Sequence, residues 1–126
     1  MTRIANFVAL FGGRFTLPND DDGINGDFTF MLPDDTAIGN ANQNRGVLSY
    51  VVRPLSSNPS NLRYTITING TEVANDATLV DTERRAIQEV LDGVLRRGEN
   101  TIVFERTSGD TRVQFSDTVI WFQRDV

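Results

Sequence analysis

Hydrophobic and polar residues alternate strictly over residues 62–68. The apolar side chains at positions 62, 64, 66 and 68 share one face and the polar ones at 63, 65 and 67 share the other, which is the period of a half-buried β-strand. Asn69-Gly70 follows directly, and this dipeptide favours the positive φ angles of a two-residue hairpin turn. The pattern therefore predicts a hairpin whose second strand begins at Thr71-Glu72-Val73.

Shorter apolar or alternating stretches predict six further strands. They cover residues 6–11, 27–32, 46–53, 100–106, 112–115 and 117–123. The loops between them are rich in Asn, Asp, Gly and Pro, the residues that form turns. Short strands separated by such turns are typical of an all-β fold.

One segment has a different period. Apolar residues recur at helical spacing over residues 83–91, either residue of the Asp-Thr pair at 81–82 can supply an N-cap, and Asp92-Gly93 ends the segment. One short helix among short strands predicts a single β-sandwich domain of jelly-roll type over residues 1–126.

The composition narrows the chemistry. The chain has no cysteine and no histidine, and all twelve basic residues are arginine, which excludes disulfides, thiolate metal sites and Schiff-base catalysis. A net charge of −5 without a basic cluster argues against nucleic acid as a partner. No apolar run is long enough for a membrane-spanning helix, so membrane insertion is not expected. The first residues lack the cleavage site of a signal peptide, and the compartment stays open, extracellular or virion-associated locations included.

The C-terminal half carries a longer pattern. An Ile-Asn-Gly turn stands at residues 68–70, the run VLRRGENTI at 94–102, and the last strand contains SDTVI at 116–120. Over residues 62–122 the chain resembles the galactose-binding-like jelly-roll domains that accompany many glycan-processing enzymes and extracellular proteins. The resemblance implies a sandwich in which Gly98 permits a turn and Asn100 hydrogen-bonds the backbone within it. Such domains bind sugars, bind proteins or are purely structural, so the resemblance does not choose the ligand.

Catalytic candidates are few. Without His, Lys or Cys, acid–base and nucleophilic chemistry would fall to carboxylates, hydroxyls, Tyr50 and Tyr64. A carboxylate pair could serve a hydrolase, but Asp34-Asp35 follows a proline and is typical of a surface turn. The sequence therefore predicts a protein that is not an enzyme. A small carboxylate-based hydrolase ranks third, behind a structural protein and a carbohydrate-binding module.

An acidic stretch at residues 19–27 is the candidate metal site. Asp20, Asp22, Asn25 and Asp27 place oxygen ligands around Gly23, which permits a sharp bend, and Ca²⁺ prefers several oxygen ligands. The stretch lacks the bidentate Glu of an EF-hand. Because galactose-binding-like domains often hold a structural calcium in such a loop, the resemblance makes calcium the candidate cofactor. A solvated acidic turn is the alternative.

A carbohydrate site needs an exposed aromatic ring beside planar polar groups. Trp121 lies mid-strand among apolar residues, which favours the core. Tyr50 with Arg53 nearby is therefore the candidate sugar platform, and the alternative is a strand aromatic that packs on a sheet face. The remaining candidates are polar residues before this strand: Asn40, Asn42, Asn44 and Arg45.

The first and last predicted strands are apolar on both faces. A strand of a two-layer sandwich meets the core with one face only, so the helix, the loop at residues 33–45 or another subunit must cover the other face. The contact candidates are Phe7, Phe11, Ile120 and Phe122.

Two functional hypotheses follow. The leading one is a non-enzymatic structural protein of a virion, appendage or filament, with copies of itself or other protein subunits as partners. The alternative is a carbohydrate-binding module of galactose-binding-like type, with a glycan as its partner.

Overall fold

The computed structural model describes residues 3–10, 13–17, 26–38, 45–55, 62–77, 84–108 and 112–125. Nine β-strands run through these ranges. In chain order they are β1 (Arg3–Ala9), β2 (Arg14–Leu17), β3 (Asp27–Leu32), β4 (Arg45–Pro54), β5 (Arg63–Ile68), β6 (Thr71–Ala77), β7 (Arg85–Asp92), β8 (Gly98–Ser108) and β9 (Val113–Asp125). Within these ranges there is no helix of the length and apolarity needed to cross a membrane.

The strands form two antiparallel sheets. Sheet I has the order β1-β9-β4-β7, and β2 also pairs with β9. Sheet II has the order β3-β8-β5-β6. β9 is the longest strand and contacts three others, because β1 and β2 follow one another along one edge while β4 occupies the opposite edge. The predicted all-β sandwich is therefore confirmed.

The core between the two sheets is built around aromatic rings. The members are Phe15, Phe28, Tyr50, Tyr64, Phe104 and Phe115, with ring centroids of neighbouring pairs 4.9 to 6.2 Å apart. In β5 apolar residues alternate with polar ones, and every apolar residue of the strand is buried. The alternation that defined this strand in the sequence is the alternation that fills the core.

Two buried tyrosines join the sheets by their hydroxyl groups. Tyr50 of β4 and Tyr64 of β5 lie with their hydroxyl oxygens 2.9 Å apart, so one donates a hydrogen bond to the other. Burial raises the pKa of Tyr50 to about 12. Burial, and the hydrogen bond to Tyr50, raise the pKa of Tyr64 further. Ionisation of either hydroxyl in the folded core is therefore unfavourable.

This pair predicts sensitivity to alkali. The pKa of an unfolded tyrosine is about 10, so the unfolded chain releases both protons more readily than the folded one. Stability is then fully present below pH 10 and falls as the pH rises from about 10 towards about 12 and beyond. Urea denaturation at pH 8 and pH 11 should show this loss. The double variant Tyr50→Phe/Tyr64→Phe should unfold at a midpoint that changes much less between the two pH values, and an equal change would contradict the assignment.

The helix predicted over residues 83–91 is wrong. Residues 85–92 form β7, which pairs with β4 from Val52↔Arg85 to Arg45↔Asp92. Ile87 and Leu91 face the core, whereas Ala86 and Val90 lie on the outer face of sheet I. A strand with apolar residues on both faces reproduces the spacing of an amphipathic helix, and its pairing with β4 decides the outcome.

The two strands predicted at residues 112–115 and 117–123 form one continuous strand. The polar pair Ser116-Asp117 predicts a turn between two strands, but β9 continues through this pair with a β-bulge. Asp117 adopts a φ of 50°, and the register with β4 shifts between Ser49 and Val51. The four-residue β2 was not predicted, whereas the bounds of β3 and the hairpin between β5 and β6 are confirmed.

The hairpin turn is held from behind by an amide network. Asn69 and Gly70 have φ angles of 49° and 84°, the left-handed values that a two-residue turn needs. The Asn69 Nδ2 group donates to the Val94 carbonyl and to Asn100 Oδ1, both at 2.8 Å. Its Oδ1 accepts from the Thr101 backbone N–H at 3.0 Å. The turn is thereby tied to the start of β8.

Asn100 is the fully buried centre of this network. Its Oδ1 accepts from the Arg96 backbone N–H at 2.8 Å, and its Nδ2 donates to the carbonyls of Arg96 and Gly98 at 2.8 and 3.1 Å. The backbone hydrogen bonding expected of Asn100 is therefore confirmed. Gly98 has a φ of 80°, which confirms the turn expected there.

Candidate functional site

The two sheets differ in the chemistry of their outer faces. On sheet II the outward side chains are mainly threonine and charged residues: Thr29, Arg63, Thr65, Thr67, Glu99, Thr101 and Glu105. On sheet I cross-strand pairing places a group of apolar side chains outward among polar ones: Ala5, Phe7, Ala9, Val47, Val51, Ala86, Val90, Val119 and Trp121. A contiguous exposed apolar surface marks a binding or interaction site, so the outer face of sheet I is the candidate functional site.

An aromatic pair lies on the β1 side of this face. Phe7 of β1 and Trp121 of β9 are directly opposite each other, with ring centroids 5.2 Å apart and planes tilted by 45°. Their side chains are 56% and 43% exposed. The Trp121 Nε1 group donates to Ser49 Oγ at 3.2 Å, which fixes the orientation of the indole. The two rings together form a preformed aromatic platform.

This platform corrects two expectations from the sequence. Trp121 is not in the core, and the side chains that β9 sends inward are its neighbours Ile120 and Phe122. Ile120 and Phe122 are therefore unavailable as subunit contacts, while Phe7 has the exposure that such a contact needs. Both faces of β9 are apolar, so only the pairing with β1 and β4 decides which face meets the core.

A groove of about 440 Å³ lies beside the platform. It is lined by Ser49, Tyr50, Val51, Ala86, Ile87, Gln88 and Asp117. Val51 and Ala86 are outward apolar residues of this lining, and Ser49, Gln88 and Asp117 supply hydroxyl, amide and carboxylate groups. The groove thus offers apolar contact together with hydrogen-bonding partners.

The bulge in β9 positions the carboxylate of this groove. Asp117 occupies the left-handed region, which non-glycine residues adopt only when their surroundings impose it. The extra residue that the bulge inserts re-aims the side chain relative to a regular strand. Asp117 is exposed there and borders the groove.

Two arginines occupy the far end of the same face. Arg53 lies two residues beyond Val51 on β4 and therefore points to the same side of the sheet, and Arg14 of β2 is opposite Ser116. Arg53 is half-buried, and its Nε atom has no hydrogen-bond partner. Over the described ranges neither arginine has an ion pair. Along β4, Arg53 lies six residues from Val47, which is opposite Trp121. At about 3.3 Å per residue this separation is about 20 Å.

Tyr50 is corrected as a sugar platform. Its ring is 2% exposed and packs in the aromatic core, so it cannot stack on a ligand from outside. Arg53 does lie on the candidate face. Arg45 begins β4, while Asn40, Asn42, Asn44 and Phe11 lie outside the described residues.

Asp35 serves the fold. It forms a bidentate ion pair with Arg124 of β9, with both N–O distances 2.8 Å. The hydrogen bond from Arg124 holds the pKa of Asp35 below its usual range. A carboxylate held ionised in this way is unsuited to act as the acid of a hydrolase.

The candidate calcium loop at residues 19–27 lies mostly outside the described residues. Asp20, Asp22 and Asn25 are among those not described, and Asp27 is the exposed first residue of β3. Within the described ranges, no three acidic side chains are grouped closely enough to hold a metal ion. Calcium binding by this loop therefore stays a prediction.

Solved structures share this architecture. No protein-family model matches the sequence, and no curated protein matches it. Latent dimeric PorU from Porphyromonas gingivalis is 11% identical with a TM-score of 0.60, over 98% of this chain but only 13% of PorU. A cleaved adhesin domain of Lys-gingipain from the same organism is 11% identical with a TM-score of 0.51, over 95% of this chain and 98% of that domain. The xylan-binding module CBM15 is 9% identical with a TM-score of 0.51, over 96% and 97% of the two chains.

The fold is an antiparallel two-sheet β-sandwich, consistent with a galactose-binding-like jelly roll. The resemblance that the turn and strand motifs suggested is thereby confirmed at the level of the fold. At these identities the likeness extends to the fold alone, and function must be argued from the outer face of sheet I.

Proposed function

We propose that this domain is a non-catalytic carbohydrate-binding module that holds its ligand on the outer face of sheet I. The observation that carries the proposal is the exposed Phe7–Trp121 platform beside a groove with polar groups. One face of a sugar ring presents C–H groups, and its edge presents hydroxyls. A site that joins aromatic surface to a few placed polar groups is complementary to both.

The platform is prepared for a rigid ligand. The hydrogen bond from Trp121 to Ser49 and the contact with Phe7 limit the rotation of the indole before any ligand arrives. Binding then costs less conformational entropy than it would on a free side chain. The fold comparison supports the same class, because one of the similar structures is named as a xylan-binding module.

Trp121 also supplies the measurement, since it is the only tryptophan in the chain. Titration with a panel of soluble oligosaccharides and polysaccharides should change its fluorescence in a saturable way. Trp121→Ala should abolish binding of the same ligands in calorimetry while the melting temperature changes little, because the ring is half exposed. Met31→Ala is the matched control, since Met31 is an exposed apolar residue on the outer face of sheet II.

The outcomes separate two functions. Binding that Trp121→Ala removes and Met31→Ala leaves intact supports the module. No binding to any member of the glycan panel, together with a native mass that rises with protein concentration, would instead support the assembly hypothesis. In that case Phe7, Trp121 and Val90 would form the subunit contact, because these exposed apolar side chains share the face.

A further inference from the structure

We propose that the basic end of this face, Arg53 with Arg14, binds an acidic group on the glycan, so that the ligand is an acidic chain rather than a neutral one. This inference rests on the proposed function and names its substrate class. It follows from the hydrogen bonding of Arg53 and from the positions of the two arginines on the outer face of sheet I.

Arg53 has a donor that the fold leaves unused. Its Nε atom is buried and lacks a hydrogen-bond partner, although buried polar groups in proteins are nearly always paired. Three other arginines of the described residues do use their side chains within the fold: Arg63 donates to Asn75, Arg97 to the Thr36 carbonyl, and Arg124 to Asp35. Because Nε is buried, a ligand can reach only the terminal nitrogens of this half-buried guanidinium, and within the described ranges no carboxylate pairs with it. Two terminal N–H groups can bind a carboxylate or a sulfate through two parallel hydrogen bonds.

Arg14 adds a second positive charge to the same end. It lies on β2 opposite Ser116, and Arg53 lies on β4 opposite Gln114, so the two arginines flank β9 from its two sides. Two strand spacings of about 4.8 Å separate Arg14 from Arg53, and the two residues are offset by two positions along the strands. Their Cα atoms therefore lie about 12 Å apart. The space between the two arginine side chains lies above Ser116 and Gln114, which are polar and half-buried.

Asp117 determines where the acidic group can sit. Its carboxylate borders the groove between the aromatic platform and the arginines, so it repels an anion there and accepts hydrogen bonds from sugar hydroxyls. The acidic group is thus directed to the arginine end. A chain that also stacks on Trp121 has to extend over about 20 Å, the rise of six residues along β4, which is longer than any single sugar ring. The site therefore recognises a chain of several sugars in one direction.

The test compares matched oligosaccharides with the intact protein. Neutral chains are paired with chains of the same backbone that carry a uronic acid, and a second arm carries a sulfate ester. We expect the acidic member to bind about tenfold more tightly at low salt, the effect of one charge-assisted hydrogen bond, and the preference to shrink as salt screens it. Arg53→Gln should remove most of the preference, and the double variant Arg53→Gln/Arg14→Gln should reduce it to near unity. Arg63→Gln, on the opposite face, is the matched control and should preserve it.

Three results would overturn the inference. Equal binding of neutral and acidic chains, or a preference unchanged in Arg53→Gln, would reject the arginine subsite while leaving a Trp121-dependent module in place. Absence of any Trp121-dependent glycan binding would reject the proposed function and this inference together. Of the two acidic arms, the tighter one identifies the anion, carboxylate or sulfate.

Discussion

Phe115→Ala is expected to destabilise the domain by about 4 kcal/mol, a typical cost of emptying an aromatic core position. Phe115 is fully buried, and its ring centroid lies 4.9 to 6.1 Å from those of Phe15, Tyr50, Tyr64 and Phe104. These four rings come from both sheets, so no single shift can fill the cavity. A loss of this size is a large part of the stability of an ordinary domain.

The same substitution at Phe7 is the control for Phe115. Phe7→Ala removes an equal volume from an exposed ring, so it should shift the urea midpoint only slightly. Equal midpoints for the two variants would show that the rings around Phe115 repack freely, contrary to the close contacts of the core. If Phe115→Ala does not fold at all, Phe115→Leu, which keeps most of the volume, should give a folded protein with a smaller loss.

Asn100→Ala should cost about 3 kcal/mol, because it empties a fully buried position and leaves four part-buried partner groups without this hydrogen-bonding side chain. The side chain links Asn69, Arg96 and Gly98 through four hydrogen bonds of 2.8 to 3.1 Å. The loss should appear in chemical denaturation. Asn100→Asp should also destabilise, since a carboxylate cannot donate to the two carbonyls that the amide serves.

Asn75→Ala is the matched control for Asn100. Asn75 also accepts one hydrogen bond from a side chain and donates others, but it does so on the exposed surface of β6. Its replacement should cost well under 1 kcal/mol. Equal effects of the two alanine variants would contradict the central role of the buried amide.

The sequence predicts strands well where one face is polar. In β5 the polar residues mark the solvent side, and the Asn-Gly dipeptide places the turn, so the hairpin could be predicted in detail. The same reasoning fails for β7, because this strand has apolar residues on both faces. One face packs in the core and the other forms part of the outer face of sheet I. Hydrophobic spacing alone cannot separate such a strand from a helix.

The candidate site was harder to predict for the same physical reason. Trp121 and Phe122 are adjacent aromatic residues on one strand, and nothing in their order says which of them is outside. The answer depends on the pairing of β9 with β1 and β4, which joins residues far apart in the chain. Arg53 was predicted as a site residue because it lies near an aromatic, but the aromatic on its face is Trp121 rather than Tyr50.

The position of β9 in the sheet affects how the chain can fold during synthesis. All four strands of sheet II precede β9 in the sequence, so that sheet can pair as soon as β8 has left the ribosome. In sheet I the strands β1, β2 and β4 have their common neighbour only in β9, the last of the nine strands in the described ranges. The N-terminal strands therefore wait for nearly the whole domain to be translated. Closure through such distant partners is slow, on the order of milliseconds to seconds for β-rich domains, and until then the aromatic side chains of the unfinished sheet are exposed to chaperones and to aggregation.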